Sequence, residues 1–102
     1  MQEYNIIFSK AADLDLEDII LYLSNFSSGT ALKYYDEIIR KIHTLEIMPE
    51  RCSSVASEEL REKGHRWIFV RNYTIFFTIH KEENVVVIRR ILYAKREYTA
   101  LL

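Results

Sequence analysis

Apolar and polar residues alternate most clearly between positions 65 and 93, a stretch rich in β-branched and aromatic side chains. Turn-forming residues interrupt this stretch at 71–72 and 81–84, where Asn is expected to supply the left-handed backbone of a tight turn. The pattern therefore predicts three consecutive antiparallel strands. Along the middle strand, apolar Ile75, Phe77 and Ile79 alternate with a mixed set: Thr74, Phe76, Thr78 and His80. Such a sheet needs helices over its apolar face.

Two amphipathic helices are predicted upstream of this sheet. Residues 4–8 are a short apolar run typical of a first strand, and Ser9 offers its hydroxyl as the N-cap of a helix over 10–25. A break at 27–29 separates that helix from a second one, which ends at Pro49. Apolar residues recur at helical spacing in both. The stripes are Ala12, Leu16, Ile19, Leu23 and Phe26, and then Ala31, Tyr35, Ile38, Ile42 and Leu45.

The remaining segments complete a single α+β domain over residues 1–102. Residues 50–64 are predicted to form a loop with a short strand at 52–56 and a helical turn at 57–62. The tail at 94–102 ends in apolar residues and is expected to pack back on the sheet edge. The predicted fold has an N-terminal strand and a two-helix antiparallel hairpin. The hairpin packs on a mainly antiparallel sheet of three C-terminal strands plus the N-terminal strand.

Composition agrees with one folded domain. Hydrophobic residues make up 49% of the 102 positions and charged residues 28%, with only two Gly and one Pro, which argues against disorder. No signal peptide or membrane-spanning run is apparent, so a cytoplasmic protein without a membrane partner is expected. Residues 1–60 hold five basic and eleven acidic side chains, whereas 61–102 hold nine and four. The basic sheet half either balances the acidic helical half or forms a local surface for an acidic or polyanionic partner.

Few residues carry an obvious chemical signature. Cys52 is the only cysteine, which excludes an internal disulfide, and no phosphate-binding glycine loop, metal-binding motif or catalytic triad spacing is present. Four acidic residues crowd the start of the first helix, where they complement the helix dipole and solvate the outer face. No metal and no cofactor are predicted from them. The four are Asp13, Asp15, Glu17 and Asp18.

Cations and aromatic residues are interleaved on the predicted strands, a composition that suits either RNA or a protein interface. Arg89 and Arg90 are adjacent in a strand, so their side chains are expected on opposite faces, with one of them paired to the acidic helices. His65 and His80 are weaker candidates for proton transfer. The cations are Arg66, Arg71, Arg89, Arg90, Lys95 and Arg96, and the aromatic residues interleaved with them are Trp67, Tyr73, Tyr93 and Tyr98.

These fragments, in this order, resemble the RelE/ParE superfamily of bacterial toxins over almost the whole chain. The resemblance rests on the segments 4–9, 12–16, 19–23, 45–49, 72–77 and 91–96, with Arg66 and Val70. It implies the toxin of a type II toxin–antitoxin module, associated with growth inhibition and plasmid stabilisation. It also implies a cognate antitoxin as partner, expected to be an acidic, partly disordered chain that folds on binding.

Two activities within the superfamily are open. A RelE-like toxin cleaves mRNA on the ribosome without a metal, and the resemblance would give that role to Arg66, Arg96 and Tyr98. Ile68, Thr74 and Leu102 stand at positions where that branch has basic or catalytic residues. A ParE-like toxin instead binds DNA gyrase, and this branch is favoured. A third possibility is a degenerate member that only binds its antitoxin. The residues assigned to target or antitoxin binding are Arg66, Tyr73, Arg90, Lys95 and Arg96.

Overall fold

A computed structural model describes residues 3–94 and 98–102 and contains the predicted helices and strands in the predicted order, except that the strand at 52–56 is absent and the second helix ends at His43, before Pro49. Short 3₁₀ turns lie at Thr44–Glu46, Pro49–Arg51 and Thr99–Leu101. Within the described residues, no helix has the length and apolar character needed to cross a membrane. The helices and strands are β1 Asn5–Phe8, α1 Lys10–Ser24, α2 Ser28–His43, α3 Glu58–Glu62, β2 Arg66–Val70, β3 Tyr73–His80 and β4 Val85–Tyr93.

The four strands form one mixed sheet in the order β1-β4-β3-β2. The three C-terminal strands pair antiparallel, and β1 lies parallel to β4 with Ile6 opposite Val86. A parallel neighbour requires a crossover, and the helical hairpin is part of the chain that makes it. The predicted α+β architecture is confirmed. The strand predicted at 52–56 is reduced to a single bridge between Ser54 and Arg66.

Serine side chains start each of the three helices. Ser9, Ser27 and Ser57 accept hydrogen bonds from the backbone N–H groups three residues further on. Each such cap stabilises a helix by about 1 kcal/mol. The predicted N-cap at Ser9 is therefore confirmed. The break at 27–29 is narrower than expected, because Ser27 caps α2 and Gly29 already lies inside the helix.

The main core lies between the helical hairpin and one face of the sheet. Ile38 and Ile42 of α2 are almost fully buried, as are Phe77 and Ile88 of the sheet. The apolar stripes predicted for the two helices face this core along most of their length. Phe26, at the end of the first stripe, is instead 67% exposed, because α1 ends at Ser24 before it.

A second, smaller core covers the other face of the sheet. Its buried residues include Phe76 of β3 and Leu92 of β4, and Tyr98, Leu101 and Leu102 pack against them. The chain end therefore covers a sheet face, and the prediction that it packs on the sheet edge is wrong. The physical reason is that Phe76 and Leu92 make this face apolar as well, so it also needs cover.

His65, which immediately precedes β2, is buried beside this second core. It is 8% exposed, and its Nδ1 lies 3.2 Å from Leu60 O. Burial lowers the pKa of His65 below the ordinary 6.5, and the nearby charges of Arg89 and Lys63 lower it further. The folded protein therefore holds this imidazole in its neutral form more firmly than the unfolded chain does.

The free energy of unfolding is expected to decrease as the pH falls below about 6.5, because the unfolded chain then binds a proton that folded His65 resists. His65→Gln should flatten this part of the pH profile. Urea denaturation between about pH 7.5 and 5.5 measures the slope. An identical slope in wild type and His65→Gln would contradict the assignment.

The turn between β2 and β3 holds an arginine in the left-handed conformation. Arg71 has φ +51°, whereas the expected residue for this conformation was Asn72. Interactions with α2 hold the arginine in place. Its guanidinium donates to both carboxylate oxygens of Glu37 at 2.9 and 2.8 Å and lies 4.7 Å from the centre of the Tyr34 ring. In the following turn Asn84 takes φ +60°, as expected for Asn.

Arg71→Gly is expected to be more stable than Arg71→Ala by about 1 kcal/mol, because both lose the Glu37 contact but only glycine is free of left-handed strain. Thermal or urea denaturation of the two variants measures the difference. Arg40→Ala, in the regular helix α2, serves as the control for loss of an arginine. Equal stability of the glycine and alanine variants would show that this turn stores no strain.

Candidate interaction surface

The short first strand leaves part of β4 without a neighbouring strand. β1 pairs with β4 only as far as Ile88, and the start of α1 lies along the remainder. The N–H of Ser9 donates to Ile88 O, and the Ser9 hydroxyl donates to Arg89 O, each at 2.9 Å. Further along α1, Asp15 Oδ2 accepts from the N–H of Ile91 at 2.9 Å. A carboxylate thus satisfies a strand amide that would otherwise need another strand.

Asp15 also forms a two-point ion pair with Arg90. Arg90 Nε donates to Oδ2 at 2.7 Å and Nη2 donates to Oδ1 at 2.8 Å, while Nη1 donates to Leu101 O at 3.1 Å. The side chains are only 18% and 11% exposed, and the hydrogen bond to Asp15 raises the pKa of Arg90. The predicted pairing of one of the two arginines with the acidic helices is confirmed. Asp15 therefore does not belong to the solvated outer face of α1. The interpretation that all four acidic residues solvate that face is wrong for this one.

A β-bulge changes the directions of the adjacent arginines. Phe76 lies opposite Arg90 and Phe77 lies opposite Ile88, so Arg89 is an extra residue in β4. Such an inserted residue interrupts the alternation of side chains between the two faces of the strand. The expectation that Arg89 and Arg90 face opposite sides is wrong, since both line the same cavity.

Between α1 and the end of β4 lies a surface depression that we call the aromatic groove, with a volume of about 390 Å³. Tyr22 and Tyr93 are half-exposed on it, at 59% and 46%. Tyr73 is buried, contacts the rings of Tyr34 and Tyr93 edge-on, and has a pKa raised by that burial. Rings with one buried and one exposed side are frequent at protein interfaces. The groove is lined by Asp15, Asp18, Ile19, Tyr22, Tyr73, Ile91, Leu92 and Tyr93.

A second cavity, of about 260 Å³, opens at the same end of the sheet on the opposite face. Tyr98 packs there against Phe76 and Trp67, with ring centres 4.9 and 5.9 Å apart. Thr74 lines the same cavity and is itself buried. Among the described residues, no lysine or arginine contributes to this lining.

The predicted site residues are distributed over several places. Arg66 Nη1 donates to Cys52 O at 2.6 Å and to Glu50 O at 3.3 Å, so its guanidinium holds the loop before α3 and does not line the cavity of Tyr98. Ile68 is buried in the main core. Lys95 and Arg96 lie outside the described residues.

Comparison with known proteins identifies the family to which this chain belongs. A family model described as the ParE toxin of the type II toxin–antitoxin system parDE matches residues 6–98. The chain belongs to the ParE toxin family. No curated protein matches the sequence significantly.

Two solved structures share the fold of this ParE-family toxin. One is the chromosomal ParDE toxin–antitoxin system from P. aeruginosa, with a TM-score of 0.73 and 19% identity over 91% of this chain and 98% of that one. The other is the RelBE2 toxin–antitoxin complex from Mycobacterium tuberculosis, with a TM-score of 0.66 and 19% identity over 93% and 97%. The predicted membership of the RelE/ParE superfamily is confirmed.

Sequence reasoning missed the aromatic groove of this ParE-family toxin. The sequence pattern identifies Tyr22 only as part of a helical segment, although its spacing to Phe26 brings the two rings within 5.4 Å on the exposed side of α1. Two aromatic residues four positions apart at the end of a predicted helix are a signal that could have indicated exposed rings here. Tyr34 gave no comparable signal, because its contacts with Tyr73 and Arg71 depend on how α2 crosses the sheet.

Proposed function

We propose that this toxin acts by binding DNA gyrase in the cytoplasm and that a cognate antitoxin neutralises it. The observation that carries the proposal is the match of the ParE toxin family model to residues 6–98. Binding of a target requires a complementary surface and no set of catalytic groups.

The geometry supports a binding function over RNA cleavage. Phosphodiester cleavage without a metal needs cations that converge on the scissile phosphate, and loss of one such group costs about 10²–10³ in rate. Here the Arg90 guanidinium is bound by Asp15, and Arg66 is held by backbone carbonyls. Tyr98 is packed between aromatic rings. Arg66 and Tyr98, two of the residues that the RelE-like alternative would use, are thus engaged in separate structural contacts.

We assign antitoxin docking to the aromatic groove. It combines the exposed rings of Tyr22 and Tyr93 with a depression between α1 and the end of β4. A partner segment lying there would bury apolar rings in a hydrophobic depression, one mode by which peptides bind to folded domains. The two solved structures of similar fold belong to toxin–antitoxin systems, which agrees with a proteinaceous partner for this chain.

Induction of the toxin without antitoxin, followed by pulse labelling of DNA and protein synthesis, tests the proposal. An early fall in DNA synthesis with a DNA-damage response is the expected result. A first fall in protein synthesis would favour the RelE-like alternative. Unimpaired growth at good expression would contradict both and support a member that only binds its antitoxin. Co-expression with the antitoxin controls for general effects of overproduction.

Tyr98→Phe is expected to inhibit growth as strongly as the wild type, because the ring contacts with Trp67 and Phe76 remain and only the hydroxyl is lost. In a RelE-like enzyme that uses this tyrosine, loss of the hydroxyl would reduce mRNA cleavage. Growth after induction and mRNA cleavage on ribosomes are the two measurements. A large loss of toxicity with normal thermal stability would contradict the binding mechanism.

Charge reversal tests the predicted basic surface. Arg96→Glu reverses one charge of this surface, and reduced toxicity or weaker antitoxin binding is expected if the surface contributes. Arg90→Glu is less informative, because it would place two carboxylates together at Asp15. Full retention of toxicity and antitoxin binding by Arg96→Glu would remove this residue from the surface.

A further inference from the structure

A third cavity, of about 450 Å³, lies where the far face of the sheet meets α3 and the start of α1. None of the functions assigned above uses it. Its polar lining consists mainly of cationic and imidazole side chains, and no Asp or Glu contributes to it within the part of the chain that the structure describes. We call it the cationic cavity and define it by Lys63, His65, Thr78, His80, Arg89 and Arg90.

Hydrogen bonds hold the strand residues of the cationic cavity in fixed positions. Arg89 Nε donates to Thr78 Oγ1 at 3.0 Å, and that oxygen lies 2.8 Å from His80 Nε2. Arg89 Nη2 lies 3.4 Å from the same imidazole nitrogen. Because arginine only donates, His80 Nε2 is the acceptor, and the Thr78 hydroxyl donates its proton to it. The arrangement leaves further guanidinium N–H groups of Arg89 for a ligand.

The charge of Arg89 is not compensated by an ion pair. Arg90 is neutralised by Asp15, and Lys63 has one loose contact with Glu59 at 3.6 Å in which both side chains are exposed. Across residues 3–94 and 98–102, no Asp or Glu side chain forms a salt bridge with Arg89.

Several elements bring these groups together. The bulge in β4 directs Arg89 to the same side as Thr78 and His80 of β3. His65 and Lys63 come from the segment that joins α3 to β2, and Arg89 and Lys63 are both close enough to His65 to affect its protonation electrostatically. Arg89 and Lys63 thus offer cationic N–H groups from two sides of the cavity, and two cations complement a doubly charged phosphate more fully than a singly charged carboxylate.

We propose that the cationic cavity binds the phosphate group of a small phosphorylated molecule. Its volume lies within the range of small-molecule sites, about 300–1,000 Å³. Ala11 and Leu101 provide apolar lining for the organic part of such a ligand. A long nucleic acid is disfavoured, because it requires a continuous basic track and the chain has a pI near 6.3.

The three histidines of the chain allow a direct test by NMR. Inorganic phosphate, and separately AMP, is titrated into the purified toxin at constant pH and ionic strength. The imidazole signals of His65 and His80 are expected to shift and saturate, whereas those of His43, exposed beside Glu46, stay fixed. Tighter binding of AMP indicates a nucleotide, and equal binding indicates free phosphate. Both results support the proposal.

Matched variants identify the residues responsible. Arg89→Gln should weaken phosphate binding about tenfold or more, the effect of losing a charge-assisted hydrogen bond. Lys63→Gln, at an exposed position that tolerates substitution, should weaken it about two- to fivefold. Arg40→Gln removes the same charge from α2, away from the cavity, and should have no effect.

Three results would overturn the proposal. One is a shift of His43 equal to those of His65 and His80, and another is equal weakening by Arg40→Gln and Lys63→Gln. The third is saturable binding of acetate as tight as that of phosphate, which would indicate a carboxylate site. Circular dichroism of every variant confirms folding, and Lys63→Gln keeps the test valid if Arg89→Gln does not fold. The result does not depend on whether gyrase is the target.

Discussion

Asp15→Ala is expected to lower the free energy of unfolding by about 3–5 kcal/mol, the cost of leaving one partner of a buried ion pair alone. The substitution removes both acceptors of the Arg90 guanidinium and the acceptor of the Ile91 amide. Few surface-accessible carboxylates have so large an effect. Asp15 does because it and Arg90 are only 11% and 18% exposed and because one of its oxygens serves two donors. Urea denaturation followed by circular dichroism measures the change.

Two further variants test the cause. Glu17→Gln, an exposed acid on the same helix, should change the stability by less than about 0.5 kcal/mol. Asp15→Leu combined with Arg90→Met should cost less than the sum of the two single changes, because no unpaired charge remains in the double variant. Strict additivity, or a loss for Glu17→Gln as large as that for Asp15→Ala, would contradict this account.

Tyr22→Ala and Tyr93→Ala are each expected to weaken antitoxin binding by about 2 kcal/mol or more, a factor of about 30. Both rings are half-exposed in the aromatic groove, so a partner can bury them without rearrangement of the toxin. Because they contribute little to the main core, the free toxin should stay folded. Calorimetric titration with the cognate antitoxin gives the affinities, and a thermal melt checks the fold.

Tyr35→Ala provides the matched control for both variants. Tyr35 is 41% exposed on α2 and does not line the groove. Its substitution should leave antitoxin affinity within a factor of about two. If Tyr35→Ala weakens binding as much as Tyr22→Ala and Tyr93→Ala, docking is not centred on the groove. If the groove variants bind normally, the antitoxin occupies another surface and the assignment is wrong.

The local signals in the sequence were sufficient for most of the fold. Serine caps, helical stripes and strand alternation depend on neighbouring residues, so Ser9 and the stripe through Ile38 could be assigned without tertiary information. The errors occur where contacts between distant parts of the chain determine the local conformation. Glu37 and Tyr34 of α2 hold Arg71 in a left-handed turn that local preference gives to Asn72. Similarly, the position of the chain end depends on the need to cover Phe76, which the alternation along β3 does not reveal.

The candidate surfaces were less predictable than the fold. Pairing of an arginine with the acidic helices followed from charge and strand position. The choice of Asp15 among four acids depends on where β1 ends, which sets how α1 lies beside β4. The cationic cavity depends on the bulge at Arg89, since an uninterrupted strand would have sent the two arginines to opposite faces. A one-residue insertion in strand pairing leaves no trace in composition or periodicity.

Asp15 accepts hydrogen bonds from both Arg90 and the Ile91 amide, and this constrains the order in which substitutions can accumulate during evolution. Loss of Arg90 alone leaves Asp15 with the Ile91 amide, whereas loss of Asp15 leaves both an arginine and an amide without their partner. The two positions therefore differ in the order in which substitutions are tolerated. A lineage that replaces the pair is expected to change Arg90 first and then to exchange Asp15 for asparagine, which still accepts from the amide. The reverse order passes through the least stable intermediate.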